Sequence, residues 1–364
     1  ATRPIEDFDA YREELDRFVF RSGMLMKPVI ESAKADIKRL VFSEGEDERV
    51  LRAVQALVDD KVAKPHLVGR PDVINTRIAR LGLRIKEGKD FNITNPESDP
   101  RYEDYWREYH SIMQRRGISP DLARTIIRTN STVIGSLMVR RGEADAIICG
   151  TYGHYSWHLN HVMDVIGHAK DVCEVSAMST LVMPNGTFFL ADTHVTHDPT
   201  VAEIVETTCL SAEAVRRFGE TPKIALLSHS NFGSRSTPTA LKMQTAMEVL
   251  RAQYPDLEVE GEMQADAALD ETIRNRVFPN SQLKGQANLL IFPNLEASNT
   301  AFNLLKVLGN GLPVGPILLG TAKPVHILTP AVTARGIINM SAIAVVDAQS
   351  RHDNDAASYV LSIT

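Results

Sequence analysis

Cysteine is scarce in this sequence. Cys149, Cys173 and Cys209 are widely spaced, odd in number and never arranged as CxxC. They offer no disulfide framework, and a reducing cytoplasm is the expected compartment. No apolar run reaches the length of a membrane span, and no signal peptide precedes the first helical pattern. A basic stripe is also missing. The net charge of −6 comes from interspersed signs, and the Arg140–Arg141 pair is too short to attract nucleic acid. No GxGxxG opens a helix after a strand, so the chain has no visible dinucleotide fingerprint. Low-complexity tracts and convincing internal repeats are absent as well.

What remains is an ordinary globular composition. A chain of 364 residues with 43% hydrophobic content can hold two domains with well-buried cores. Its most informative stretch runs from Ala287 to Arg335 and reads as strand, helix, strand, strand and the entry to a last helix. Leu289–Phe292 is an apolar run stopped by Pro293, the pattern of a strand buried on both faces. In open α/β sheets, ligands bind outside the carboxyl ends of the strands. That places Asn294, Glu296 and Asn299 on one loop, and Thr329 with Arg335 on another, where a ligand would meet them.

Upstream, strands at Arg39–Ser43 and Pro65–Val68 alternate with helices at Asp47–Val58 and Pro71–Leu81, as in a parallel sheet covered by helices. Phe91–Glu103 reads as a polar surface loop. Two helices are expected at Asp104–Arg115 and Ser119–Arg128, leading through Ser131–Arg140 into a strand at Ala146–Cys149. A hairpin follows, its strands Leu181–Met183 and Phe188–Ala191 joined around Pro184, Asn185 and Gly186. Further helices are expected at Thr200–Phe218, Pro238–Gln253 and Ala267–Val277, with a strand at Ile224–Leu227. At the start, Phe8, Tyr11, Leu15, Phe18 and Val19 mark an amphipathic helix over Ile5–Phe20 that must dock on something.

Several of these segments together resemble the phosphate acetyltransferase (phosphotransacetylase) family. Phe292–Asn299 looks like the family's FPDLNAGN, Gly315–Gly320 matches its GPILQG element, and Ser228–Ser234 resembles its Ser-x-Ser-Thr-x-Gly-Ser loop. Within that family, LSHSNFGS (Leu227–Ser234), VRRGEADAIICG (Val139–Gly150), KPVHILTP (Lys323–Pro330) and the amino-terminal RPIEDFDAY look like the C-terminal phosphotransacetylase-like domain of large bacterial NADP-dependent malic enzymes. The start at Ala1 rather than Met fits an excised domain.

The resemblance implies an α/β, two-domain phosphate acetyltransferase-like fold with mainly parallel sheets flanked by helices. The second domain would be inserted in the first: 1–36 a helical linker region, 37–167 with 318–364 domain one, and 168–317 domain two, with the cleft between the domains. It also implies an acetyl-CoA effector site. Ser228, Ser230, Asn231, Gly233 and Ser234 would contact the pantetheine or thioester end, Thr329, Pro330 and Arg335 would line the opposite wall, and Asn294 and Glu296 would lie nearby. Lys323 would reach a CoA phosphate or be ordinary solvated charge.

The sequence departs from the family at its chemistry. Acetyl transfer requires a base near the thiol, oxyanion donors and cations for the phosphate. Where family enzymes carry Ser-Arg-Gly and then an aspartate, this chain has Thr329, Pro330, Ala331 and Gly336. A further family arginine falls on Val307, and another on Asn160 or His161 according to register. The expectation is therefore a regulatory, oligomerising domain without catalytic residues of its own, in which acetyl-CoA acts as an allosteric inhibitor. NADP, a divalent metal and the conversion of malate to pyruvate and CO2 would belong to a malic enzyme region outside this chain. The expected partners are a second copy, as a homodimer or higher assembly, and that catalytic region. An active phosphate acetyltransferase and a purely structural assembly domain are the alternatives. His154, His158 and His161 share a helical face that could hold zinc with Asp164, although no fourth ligand is dictated and a polar cleft-lining or interface helix explains them more simply.

Overall fold

The structure, a computed structural model, describes residues 22–361, with side chains over 23–351. The helix expected at Ile5–Phe20 lies outside the described residues. The strands in chain order are β1 (Lys38–Phe42), β2 (Ala63–Val68), β3 (Asn92–Thr94), β4 (Ala146–Cys149), β5 (Ser176–Met183), β6 (Gly186–Ala191), β7 (Ile224–Leu227), β8 (Val259–Met263), β9 (Leu289–Ile291), β10 (Leu312–Leu319) and β11 (Val325–Ile327). The helices are α1 (Ser22–Ala35), α2 (Glu48–Asp59), α3 (Pro71–Leu81), α4 (Tyr102–Met113), α5 (Pro120–Thr129), α6 (Ser131–Arg140), α7 (Tyr155–Val165), α8 (Val201–Arg217), α9 (Pro238–Gln253), α10 (Ala265–Leu269), α11 (Glu271–Val277), α12 (Leu295–Leu308) and α13 (Ala334–Leu361). The described residues divide into two compact units, Ser176–Gly315 with 22–29, and Ile30–Val175 with 316–361.

The unit containing Ile30–Val175 is built on a sheet of order β11-β4-β1-β2-β3 with every pairing parallel. Leu40, Val41 and Phe42 on β1, and Ile147 and Ile148 on β4, are buried on both faces, as central strands of a covered parallel sheet must be. Helices α2 and α13 pack on this sheet. Asp47 starts α2 by accepting from the Arg49 amide at 2.7 Å, and Asn130 starts α6 by accepting from Val133 at 3.2 Å. The segment read as a surface loop contains β3, which extends the sheet beside β2. Three residues are too few for a periodic signal, so only the pairing partner reveals them.

The second sheet has the order β10-β5-β6-β9-β7-β8. Its β5–β6 hairpin is antiparallel, whereas β6–β9, β9–β7 and β7–β8 are parallel, so it is mixed. Leu181, Leu190, Ala225, Leu290, Phe292 and Met263 belong to one buried cluster here. Thr200 and Glu203 form a reciprocal capping box at the start of α8. The single helix expected at Ala267–Val277 is two, α10 and α11, because Asp270 leaves the helical conformation and caps α11 through the Thr272 and Ile273 amides. Strand β8 was not anticipated. Its VEGEM sequence buries two carboxylates, each 1% exposed: Glu260 pairs with Arg251 at 3.1 Å, and Glu262 accepts from the Gly233 amide at 2.9 Å. Among the described residues no helix is long and apolar enough to cross a membrane.

Candidate functional site

In the mixed-sheet unit, β6, β7 and β9 end together because they run parallel, and the loops that follow them carry the polar residues. After β7, the 228–234 loop is tied to itself. Ser230 Oγ lies 3.3 Å from Ser234 Oγ and accepts from the Arg235 amide at 3.0 Å, while Ser228 Oγ accepts from the Ser230 amide at 3.1 Å. Phe232 and Gly233 both have positive φ, 48° and 85°, which makes the turn that Gly233 adopts without strain. Asn231 and Gln264 exchange two bonds, Asn231 Nδ2 to Gln264 Oε1 at 3.1 Å and the Gln264 amide to Asn231 Oδ1 at 2.7 Å. The loop is thus a preorganised turn. Gly233 and Ser234 are exposed on it, whereas Ser230 is fully buried and structural.

The loop after β9 caps α12, with Asn294 Oδ1 accepting from the Ala297 amide at 2.9 Å and Glu296 exposed in the first helical turn. It meets the loop after β6, which sequence reasoning had not singled out. Leu295 donates to the His197 carbonyl at 3.1 Å, and Asn299 Nδ2 donates to the Thr193 carbonyl at 3.2 Å. Asp192 organises that loop by accepting from the amides of Ala177, His194, Val195 and Thr196 at 2.7–3.1 Å. Burial pushes its carboxyl up and the four N–H groups pull it back. The His194 imidazole beside it is driven down to about 4 by burial, with Lys306 adding in the same direction, so it is neutral at physiological pH. The signal available was ADTHVTHDPT itself, a run of small polar residues after an apolar strand.

In the parallel-sheet unit, Thr329 and Pro330 follow β11 and Arg335 lies exposed in the first turn of α13. Arg49 fixes this loop. Its Nη1 donates to the carbonyls of Pro330 and Val332 at 2.7 and 3.0 Å, and its Nη2 donates to the Thr151 carbonyl at 2.8 Å while pairing with Asp47. Gly150, at φ +91°, lets the two strand-end loops touch, since a Cβ there would sit 2.6 Å from the Leu328 carbonyl oxygen. A Cβ on Gly336 would sit 2.9 Å from Val332 Cγ2, so an acid at that position would need Val332 to shift.

Lys323 lies elsewhere in the same unit. It precedes β11, at the amino ends of β11, β4 and β1, where it lines a cavity of about 560 Å³ with Arg39, Lys170 and Arg351. The strand separates it from Thr329. Of the three histidines His158 is committed to structure, with its Nδ1 2.8 Å from Thr132 Oγ1 and its Nε2 2.7 Å from the Tyr152 carbonyl; the His161 ring packs edge-on against Trp157 at 4.8 Å, and Asp164 pairs with Arg116. No cluster suited to a metal ion occurs among the described residues.

A further cavity, of about 400 Å³, opens at the carboxyl ends of β1 and β2 in this unit. Its wall includes Ser43, Glu44, Arg77, Glu97, Arg128 and Tyr152. Glu44 is 6% exposed, and burial pushes its carboxyl up to about 7 against the bonds it accepts from the Gly150 and Thr151 amides.

With this geometry in view, the chain matches the family described as phosphate acetyl/butaryl transferase over residues 24–345. The chain belongs to that family. A phosphate acetyltransferase of Corynebacterium glutamicum is 30% identical over 89% of this chain and 97% of its own length. The fold of the phosphate acetyl/butaryl transferase family is equally plain in a Streptococcus pyogenes phosphotransacetylase structure, 27% identical with a TM-score of 0.84 over 90% of this chain and 98% of that one. Identity is higher to malic enzymes. The NAD-dependent malic enzyme of Rhizobium meliloti is 55% identical over 95% of this chain but only 45% of its own length, and the Escherichia coli NADP-dependent malic enzyme is 51% identical over 96% and 46%. The chain therefore spans just under half the length of these relatives, and it corresponds to the phosphate acetyltransferase-like part of a malic enzyme.

Proposed function

We propose that the chain is the regulatory and assembly domain of a cytoplasmic malic enzyme, and that it binds acetyl-CoA as an allosteric inhibitor while lacking acetyltransferase activity. The observation that carries this reading is a contrast. The family loops are kept as ordered turns, Ser228–Ser234 above all, while the family's Ser-Arg and acid positions hold Thr329, Pro330 and Gly336. Pro330 has no cation to offer a phosphate, and Gly336 has no proton acceptor. Ordered family loops without the reacting groups serve binding rather than turnover.

The catalytic region of the longer protein would oxidise malate and release CO2, giving pyruvate and the reduced nucleotide, with NADP and a divalent metal held outside this chain. The named relatives divide between NAD and NADP, so parallel rate measurements with both nucleotides on the longer protein decide that choice. Acetyl-CoA can regulate it only by favouring one arrangement of the protein, and a coupling of about 1–3 kcal/mol corresponds to roughly 5- to 150-fold. Self-association accords with the exposed side chains of Leu304, Val307 and Leu308 on α12, which are 53%, 68% and 78% accessible. A two-fold dimer is the basic unit we propose.

Calorimetry with acetyl-CoA, CoA and NADP tests the reading. Acetyl-CoA should bind and Arg335→Ala should weaken it; Asn231→Ala should do the same while also untying Gln264. Absence of binding to the folded chain would leave assembly as the role. A thioester-absorbance assay with acetyl phosphate and CoA should show no turnover, and rates on the order of 1–1,000 per second would instead make it an active acetyltransferase.

A further inference from the structure

The cavity at the carboxyl ends of β1 and β2 has no part in the function proposed above, yet it is furnished as a binding site. Ser43 and Glu44 are 1% and 6% exposed and both line it. Ser43 Oγ and Glu44 Oε1 have no hydrogen-bond partner among the described residues. Leaving such groups unpaired in a folded protein is costly, and a pair of them on one cavity wall marks a place where a ligand supplies the partners. The charges on the wall narrow its chemistry. Arg70 is neutralised by Glu46 at 2.9 Å, whereas Arg77 makes its contact with the Glu46 carbonyl and Arg128 lies over the Tyr102 ring at 4.6 Å. Asp47, also on the wall, is neutralised by Arg49 at 2.8 Å, so apart from Glu44 two guanidiniums face one remaining carboxylate, Glu97.

We propose that this cavity is a second ligand site, taking a small oxyanion, a carboxylate or a phosphate, that accepts hydrogen bonds from Ser43 and from protonated Glu44 and pairs with Arg128. A carboxyl can donate to an anion only while it holds its proton, so binding and protonation of Glu44 favour each other. The charged groups nearest Glu44 are Asp47 and Arg49 at the start of α2, which pair with each other at 2.8 Å. From the β4 side it faces Cys149 and Tyr152, both pushed up by burial and uncharged at neutral pH. Glu44 is the group in this set that titrates near neutrality, with its value of about 7.

Calorimetry on the 364-residue chain tests this with two separate probes, sulfate as the phosphate-like anion and L-lactate as the carboxylate. Between about pH 6 and about pH 8 sulfate stays a dianion and L-lactate a monoanion, so any pH dependence belongs to the protein. Saturable binding of either probe near pH 6 is expected, weakening about tenfold near pH 8 as the protonated fraction of Glu44 falls. Which probe binds identifies the class of anion. Glu44→Gln, a permanent neutral donor, should bind equally at both pH values, and Ser43→Ala should bind about 2- to 10-fold more weakly at both. The proposal is overturned if neither probe binds, if wild-type affinity is the same at both pH values, or if Glu44→Gln keeps the pH dependence. Ser43→Ala binding as tightly as the wild type would count against it in the same way.

Discussion

Arg49 donates to the carbonyl of Pro330 at 2.7 Å across 281 residues of sequence. The same guanidinium holds Val332 and Thr151, so one side chain at the start of α2 sets the shape of both loops that end β4 and β11. An arginine suits this task because its planar fork presents several donors at once, which a lysine cannot.

Arg49→Ala should therefore lower unfolding free energy by about 1.5–3 kcal/mol, the usual range for hydrogen bonds involving a charged group. Arg49→Lys should recover only part of it. Urea unfolding at fixed protomer concentration measures both, and an effect below about 0.5 kcal/mol would show that the loops hold their shape unaided.

Gly150, in the loop after β4, and Gly336, in the first turn of α13, should differ in their tolerance of alanine. At Gly150 a Cβ meets the Leu328 backbone at 2.6 Å and φ is +91°, so neither contact nor conformation can relax, and a loss above about 2 kcal/mol is expected. At Gly336 the obstacle is Val332 Cγ2 at 2.9 Å, a side chain able to move, and the loss should stay under about 1 kcal/mol. Denaturant midpoints of the two variants settle the order.

Burial raises the folded Glu44 carboxyl from 4.5 to about 7. Below pH 4.5 the group is protonated in both states and makes no difference to stability. As pH rises from 4.5 to about 7 the unfolded chain sheds the proton that the folded chain keeps, so stability falls, by roughly 3 kcal/mol in full above that window. Glu44→Gln should remove this loss, its advantage over wild type appearing above pH 4.5 and levelling off above about 7. Paired denaturation curves across that range check it, and a constant difference would place the shift elsewhere.

Alkylation should separate the cysteines. Cys173 is exposed and should be labelled in the native protein. Cys149 is fully buried and its thiol is held well above the ordinary range by burial, so it should react only after unfolding. Timed labelling followed by mass spectrometry reads the order.

The sequence alone was enough for elements whose signal is local. The Pro71–Leu81 helix, the Ile224–Leu227 and Ala146–Cys149 strands and the Pro238–Gln253 helix stand where apolar period and capping residues put them. The order of family motifs carried the fold and the family. Other features were not legible, because their causes are long-range: β8 buries Glu260 and Glu262 only because Arg251, Gln244 and the Gly233 amide come to meet them, and β3 exists only beside β2.

The same division runs through the site. Sequence marked Ser228, Ser230, Asn231, Gly233 and Ser234 as one loop and Thr329 and Pro330 as another, because a turn's chemistry lies in adjacent residues. Only the tertiary structure showed that the Ser230 hydroxyl is used within its own loop, that Lys323 stands at the opposite end of β11 from Thr329, and that Glu44 lies in a low-dielectric wall. Hydrogen bonding, strand direction and burial depend on what the rest of the chain places around a residue, and a carboxyl has its ordinary acidity until that surrounding removes the water.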